Sequence, residues 1–316
     1  MKAASVERLR RVFESFSSEP SYTLMRGLAR FSILRVSIPF LRAAVLKIKG
    51  SSRSNSLGLE GKETCFSDVD IDSVVSALRK DGVAFGLKLP DEVVYSIRSY
   101  AEEELCYADR APSHGFKIEN RERAEEVLNK KILVAQYFNT ISQSPEIARL
   151  AQDPILNEIA RRFLNSPPTF VGANLWWTFP VEATEEDRHR HAHKFHRDVD
   201  DFKFFKFFFY LTDVEKGDGA HVVVAGSQGK PPINGFFDRW NIRRYTDQEI
   251  AENYSPSQVK EIDGRAGDGF AEDTWCIHKG QTPVRKPRLL LQLQFALFDY
   301  NAMHDQRSQE LLQRLA

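Results

Sequence analysis

The sequence predicts a mainly β protein with α-helices: a jelly roll of two facing sheets, helices covering one of them, and a helical extension at the N-terminus. Two observations carry this. Helical periodicity dominates as far as Phe163, and from about Pro168 the pattern changes to strands bounded by Gly, Pro and Asp turns. In the later part Leu289, Leu291, Leu293, Phe295 and Leu297 alternate with Arg288, Leu290, Gln292, Gln294 and Ala296. That alternation sets one strand face against an apolar layer and turns an Arg and Gln face toward a polar interior. A helical layer followed by many short strands fits a jelly roll.

Taken in order, Val6, Leu9, Val12, Phe13 and Phe16 recur at helical spacing and predict a first amphipathic helix. Tyr22 to Lys49 predicts a second, bent at Pro39. Ser51 to Ser56 reads as an exposed linker, so residues 1–57 form a basic helical extension and residues 58–316 the main domain. That domain opens with a helix from Asp72 to Arg79, its N-terminus favoured by Asp68 and Asp70, and a strand from Val83 to Leu89. Helices follow at Asp91 to Leu105 and Pro145 to Phe163, and a strand at Phe170 to Phe179 begins the β-rich part. Between about residues 226 and 260 an insertion carries Phe236, Phe237, Arg239, Trp240, Arg243, Arg244 and Tyr245. It reads either as a lid that contacts substrate or as surface packing. Thr246-Asp-Gln-Glu249 offers a capping box for a short helix within it.

The chain has 316 residues with 42% hydrophobic and 11% aromatic content, enough to bury a core. Its formal net charge is zero, yet residues 1–50 hold ten Lys/Arg against three Glu. This basic end suits either an anionic membrane surface or the acidic body of its own domain. The sequence has no basic patch interleaved with stacking aromatics, so nucleic acid is not an expected partner. Cys65, Cys106 and Cys276 are odd in number and lack metal-finger spacing, which points to a reducing cytoplasm. The N-terminus shows no signal-peptide pattern. The apolar stretch from Phe31 to Ile48 is broken by Arg35, Pro39, Arg42 and Lys47 and is too charged to span a bilayer.

The chemistry concentrates in His196-Arg197-Asp198 and the distant His278. On extended backbone, side chains two apart point the same way, so His196 and Asp198 can share one metal while Arg197 faces elsewhere. His278 then completes two imidazoles and one carboxylate on one metal face, the ligand set of non-haem Fe(II) oxygenases. Arg288, at the start of the next strand, has a planar fork suited to a carboxylate. Arg285 and Lys286 compete for that role from the preceding turn, where a side chain is held less firmly. His189, His191 and His193 form an alternating row on the face opposite His196 if the strand runs through Asp198. A cupin-type site would instead use HxH followed by Glu, and Arg197 and Asp198 stand in those places.

Around this motif the chain resembles the phytanoyl-CoA dioxygenase family of Fe(II)/2-oxoglutarate oxygenases. The likeness is carried by Phe195-His-Arg-Asp-Val-Asp-Asp-Phe202, the KFFKFFFYLTDV run from Lys203 to Val214, and the Gly217-Asp-Gly-Ala220 turn. It continues in His221-Val-Val-Val-Ala-Gly-Ser-Gln228 and in Asp273-Thr-Trp-Cys-Ile-His-Lys-Gly280, leading into Pro287-Arg-Leu-Leu-Leu-Gln-Leu-Gln-Phe295. Two features depart from the family: Ala225-Gly-Ser-Gln228 replaces Pro-Gly-Ser-His, and no Ser and Asn follow His278. The resemblance implies a double-stranded β-helix, cupin-like, with Fe(II) at His196, Asp198 and His278. It also implies 2-oxoglutarate on Arg288 and dioxygen as the oxidant; by position Asn174, Trp176 and Thr282 are further candidate contacts for the cosubstrate, or else polar groups that satisfy the backbone. A carboxylate at Asp198, where related halogenases carry a small residue, implies hydroxylation of a small or lipid-linked metabolite with release of succinate and carbon dioxide. Desaturation, epimerisation and cyclisation run on the same motif, and a noncatalytic jelly roll that binds a metal or small ligand is the rival of another class. The residues carry no signal for oligomeric state.

Overall fold

The computed structural model describes residues 20–48, 63–182, 184–230, 233, 243–301 and 303–315. The predicted helix through Val6 and Phe16, the Ser51–Ser56 linker, and Phe236, Phe237, Arg239 and Trp240 of the insertion lie outside these residues.

The strands are β1 (Val83–Lys88), β2 (Leu105–Ala108), β3 (Gly115–Lys117), β4 (Val134–Gln136), β5 (Thr169–Thr178), β6 (Phe204–Tyr210), β7 (His221–Val224), β8 (Val259–Ile262), β9 (Asp268–Glu272), β10 (His278–Gly280) and β11 (Arg288–Ala296). They form an eight-stranded sheet in the order β1-β9-β6-β11-β5-β4-β2-β3 and a three-stranded sheet in the order β10-β7-β8, antiparallel throughout. This is the facing-sheet jelly roll that the strand pattern predicts. The period-two rule sorts the phenylalanine run of β6: Phe205, Phe207 and Phe209 join Leu289, Leu291, Leu293 and Phe295 of β11 against the helical layer. Phe208, Tyr210 and Leu290, on the other face, pack with Val223 and Ile262 of the small sheet. The functional groups occupy the space between the sheets.

The helical layer matches the predicted positions with two corrections. The helix Ile71–Asp81 is capped by Asp70, whose carboxylate accepts from the N–H groups of Asp72 (3.0 Å) and Ser73 (3.2 Å). It ends at Gly82, where φ is +73° and a Cβ would lie 2.2 Å from Cys276 Sγ, so only glycine fits. The single helix expected from Pro145 to Phe163 is two, Pro145–Ala151 and Pro154–Leu164. Pro154 cannot donate to a preceding turn, and Asp153 caps the second helix through the N–H groups of Ile155 (2.9 Å) and Leu156 (3.2 Å). The N-terminal helix divides at Ala29–Phe31 into Pro20–Leu28 and Ser32–Ile48, and Pro39 lies inside the second piece.

That second piece packs Leu34 and Ile38 against the core and leaves a second apolar face outward. Its arginines face the protein: Arg35 lies 3.5 Å over the Trp275 ring, while Arg42 lies 4.8 Å over Phe298 and donates to Ser166 Oγ at 2.9 Å. Its outer face presents Ile33, Val36 and Phe40, each 73% exposed, together with Ile48 at 86%. No helix of the described residues is long and apolar enough to cross a membrane. Cys65, Cys106 and Cys276 are free thiols.

Candidate metal centre and its cavity

His196 and Asp198 sit on extended backbone that is not a full strand. His196 makes an isolated antiparallel bridge to His278, with N–H to carbonyl distances of 2.9 Å in both directions, and the Asp198 N–H donates to the Thr274 carbonyl at 2.9 Å. The bridge places the two imidazoles side by side, ring centroids 4.3 Å apart. The ligand atoms of His196, Asp198 and His278 all fall within 4.8 Å of one another. Arg197 points the other way and is buried, donating to the carbonyls of Trp275 (2.6 Å) and Ser227 (2.9 Å), as alternation requires.

The backbone fixes the tautomer of both rings. His196 Nδ1 lies 2.9 Å from the Lys194 carbonyl and His278 Nδ1 lies 2.9 Å from the Cys276 carbonyl. A carbonyl only accepts, so each Nδ1 carries the proton and each Nε2 lone pair is directed elsewhere. Those lone pairs face Asp198: His196 Nε2 is 3.5 Å from one carboxylate oxygen and His278 Nε2 is 3.6 Å from the other. Burial lowers the pKa of both rings, that of His278 to about 4, so near neutrality they are uncharged and ready to donate to a cation. Asp198 stays ionised: although burial opposes the charge, Lys206 at 2.6 Å holds its pKa well below the usual carboxylate range. Two neutral imidazoles and a carboxylate, converging and pre-oriented, fit a divalent iron.

A cavity of about 300 Å³ opens over this cluster. Arg288 lines it from the first residue of β11, paired in register with Thr178 of β5. Its guanidinium is buried and donates to the Gly219 carbonyl and to Thr178 Oγ1 (3.3 Å), while Nε has no partner among the described residues. Gly219 has φ of +80° and a Cβ there would come within 2.7 Å of Pro283, so the turn that offers its carbonyl to Arg288 requires glycine. Arg285 is half exposed and engaged with Glu215 (3.0 Å) and Asp218 (3.6 Å), and Lys286 also faces Asp218. Of the three cationic competitors, the cavity therefore has Arg288.

Asn174 and Trp176 line the cavity, with Asn174 held by Gln136 at 3.0 Å. Thr282 does not belong to this lining. Its hydroxyl is 2.8 Å from Nδ1 of His193, whose ring does line the cavity. The histidine row is also corrected: Thr184 caps a helix at Glu185–Arg190 that takes in His189, and Ala192 turns the chain at φ of +64°. His191 and His193 consequently both face the cavity and are buried. Sequence reasoning did not single out Lys206, Arg110, His304 or Arg307, all of which line the same space. Only Lys206 had a visible signal, a lone charge in an apolar run with the same parity as Phe208 and Tyr210.

Beneath His278, the Glu272 carboxyl is fully buried, 2.7 Å from His221 Nε2 and 3.5 Å from His278 Nδ1. Burial pushes Glu272 up to about 8 and His221 down to about 3, so the proton stays on the carboxyl and the pair is held without charge. The end of the insertion is pinned at the same place: Tyr245 pairs with Phe195, and Thr246 and Glu249 form the predicted capping box of the helix Asp247–Asn253.

A model of the phytanoyl-CoA dioxygenase (PhyH) family matches residues 97–283. Among solved structures, HygX from Streptomyces hygroscopicus with nickel and 2-oxoglutarate bound is 16% identical with a TM-score of 0.50, covering 70% of this chain and 85% of its own. The non-haem α-ketoglutarate-dependent epimerase SnoN from nogalamycin biosynthesis is 17% identical with a TM-score of 0.48, over 72% and 82% of the two chains. At such identities the likeness is one of fold. No curated protein matches the chain.

Proposed function

The chain belongs to the phytanoyl-CoA dioxygenase family, and from that premise we propose an Fe(II)- and 2-oxoglutarate-dependent dioxygenase that hydroxylates a small or lipid-linked metabolite. The observation that carries this reading is the convergence of His196, Asp198 and His278 at the base of a cavity that also holds the buried fork of Arg288. His196, Asp198 and His278 would hold the iron, and Arg288 would take the far carboxylate of 2-oxoglutarate, with Asn174 and Trp176 beside it. When bound, the iron couples dioxygen activation to decarboxylation of 2-oxoglutarate, with succinate and carbon dioxide released. The protein's own part is orientation. The Lys194 and Cys276 carbonyls aim both imidazoles, Lys206 keeps the Asp198 carboxylate ionised, and Phe208, Trp176 and Leu290 supply the apolar wall that limits water. Purified protein given Fe(II), 2-oxoglutarate, dioxygen and a metabolite extract should form succinate and leave a product heavier by one oxygen. Succinate formation without such a product would favour desaturation, epimerisation or cyclisation; no succinate under any condition would remove the oxygenase reading.

The outward apolar face of Ser32–Ile48 favours a second reading, about where the enzyme works. We infer that the outer face of Ser32–Ile48 rests on an anionic lipid surface of a reducing compartment, near a lipid-linked substrate. Between Pro20 and Leu59 the sequence has seven Lys/Arg and no Asp or Glu, so no carboxylate of that stretch opposes an anionic surface. Because Arg35 and Arg42 are spent on the protein, the contact is chiefly apolar and only mildly sensitive to salt. Removing the extension is a poor test, since Arg26 Nε donates to the Val199 carbonyl at 2.9 Å, next to the metal ligand Asp198. Sedimentation with anionic vesicles should pellet the full chain but not a Val36→Ser, Phe40→Ser variant. Equal pelleting of both, or of neither, overturns this reading.

A further inference from the structure

Four cationic side chains line the catalytic cavity, Arg110, Lys206, Arg288 and Arg307, against one carboxylate, Asp198. Lys206 is committed to Asp198. In the function proposed above, Arg288 is committed to 2-oxoglutarate. Iron and 2-oxoglutarate carry opposite and equal charges, so loading the site leaves the cationic excess standing. Arg110 and Arg307 remain with no anion to answer them: among the described residues neither is ion-paired with a carboxylate, and no side-chain hydrogen bond engages Arg110. Arg110 is exposed and Arg307 partly buried, so both guanidiniums lining the cavity are open to a ligand that supplies the charge.

Both arginines are mounted firmly. Asp109 and Arg110 are consecutive left-handed residues, at φ of +53° and +61°, a conformation that non-glycine residues rarely adopt. It is held by the Asp109 N–H on the Val134 carbonyl (2.8 Å), by Asp109 to Lys130 (3.0 Å), and by Asp109 to His191 (3.2 Å). Strain of this kind persists where the surroundings over-determine it, commonly at ligand sites. Arg307 arrives on the C-terminal segment, clamped to Asn139 through its N–H (2.8 Å) and carbonyl (2.9 Å). Asp305 secures the same segment to Thr140, its carboxylate accepting from the backbone N–H at 2.9 Å. The Arg307 guanidinium lies 4.8 Å over Phe138, and Phe138 packs at 5.1 Å on Tyr107, three residues before Arg110. Arg110, Phe138 and Arg307 line the same cavity.

We propose that Arg110 and Arg307 form a substrate anion site, so that the molecule oxidised carries a carboxylate or a phosphate group. Each guanidinium presents a planar fork of donors matched to such groups. The proposal rests on the oxygenase reading for the word substrate, though not for the binding itself, and the test separates the two. Protein loaded with Ni(II) and 2-oxoglutarate is titrated with inorganic phosphate and, separately, with acetate, and binding is followed by NMR line broadening of each probe. Wild type should bind at least one probe. Arg110→Gln and Arg307→Gln should each weaken that binding at least tenfold while 2-oxoglutarate affinity changes less than twofold, and Arg285→Gln should change neither. Preference for phosphate or for acetate identifies the group. No binding to wild type, or equal binding to the cavity variants and Arg285→Gln, overturns the proposal. A repeat without nickel and 2-oxoglutarate distinguishes failure of one reading from failure of the other: phosphate or acetate binding that needs Arg110, alongside no 2-oxoglutarate binding, would sink the oxygenase reading and leave the anion site.

Discussion

Replacing Arg288 by lysine keeps the charge and removes the fork, which makes it a sharp test of how 2-oxoglutarate is held. In the structure the guanidinium already donates to the Gly219 carbonyl and Thr178 Oγ1, and Nε is a buried donor with no partner among the described residues. Nε and the unused terminal donors are what a carboxylate would engage at two points. A lysine ammonium at the same site can serve Gly219 or the ligand with its three donors but cannot align two parallel bonds. The expected loss is about one charge-assisted hydrogen bond, roughly 1.5–3 kcal/mol, which corresponds to a rise of about tenfold to a hundredfold in KM for 2-oxoglutarate. Because the loss falls on cosubstrate binding, kcat at saturating 2-oxoglutarate should change far less. Steady-state succinate formation against 2-oxoglutarate concentration measures both parameters. Arg285→Lys, half exposed and tied to Glu215 and Asp218, serves as the control and should be silent. A normal KM for Arg288→Lys together with a raised one for Arg285→Lys would refute the assignment.

Alanine at His196, Asp198 or His278 should abolish the visible charge-transfer band when Fe(II) and 2-oxoglutarate are added without oxygen, with circular dichroism unchanged. Three normal bands would show the ligands to be misassigned. Glu272→Gln should flatten the pH dependence of stability in metal-free protein between about pH 6.5 and 8. With its folded pKa raised to about 8 from 4.5, Glu272 contributes stability that is present below 4.5 and lost as pH rises toward 8. His221, depressed to about 3 from 6.5, has the opposite slope but acts only below 6.5, so a wild-type melting temperature that is level from pH 6.5 to 8 contradicts the neutral pair. Asp153→Ala removes a helix cap and the tether to Thr64 and Cys65, and should cost about 1–3 kcal/mol in urea denaturation. A loss below a few tenths would mean that water replaces the cap.

Much of the fold was legible because its elements obey local rules. The parity of β11 predicted which of its residues meet an apolar layer, and the capping box at Thr246 predicted the helix that follows it. The misread helix at 145–163 had its warning in Asp153-Pro154, outweighed by Ile147, Leu150, Ile155 and Ile159, whose apolar spacing continues across the break. The outward apolar face of Ser32–Ile48 was illegible for a physical reason. Periodicity reveals two faces but not which one turns inward, and the usual rule buries the apolar face. Here Trp275, Phe298 and Ser166, more than a hundred residues away in sequence, draw Arg35 and Arg42 inward beside Leu34 and Ile38.

The candidate site divides along the same line. His196 and Asp198 are two apart, so their common direction follows from backbone geometry, and Arg288 follows from opening a strand whose alternate face is polar. The cationic rim that selects a ligand has no such local grammar. Arg110 depends on two left-handed residues held by Val134 and Lys130, and Arg307 on a clamp supplied by Asn139. Chemistry common to a family can rest on a short motif, because one metal asks the same of every chain. Recognition of a particular molecule is assembled from distant loops free to change without disturbing that motif. The cavity rim, more than the metal centre, is therefore where this enzyme's individual substrate is encoded.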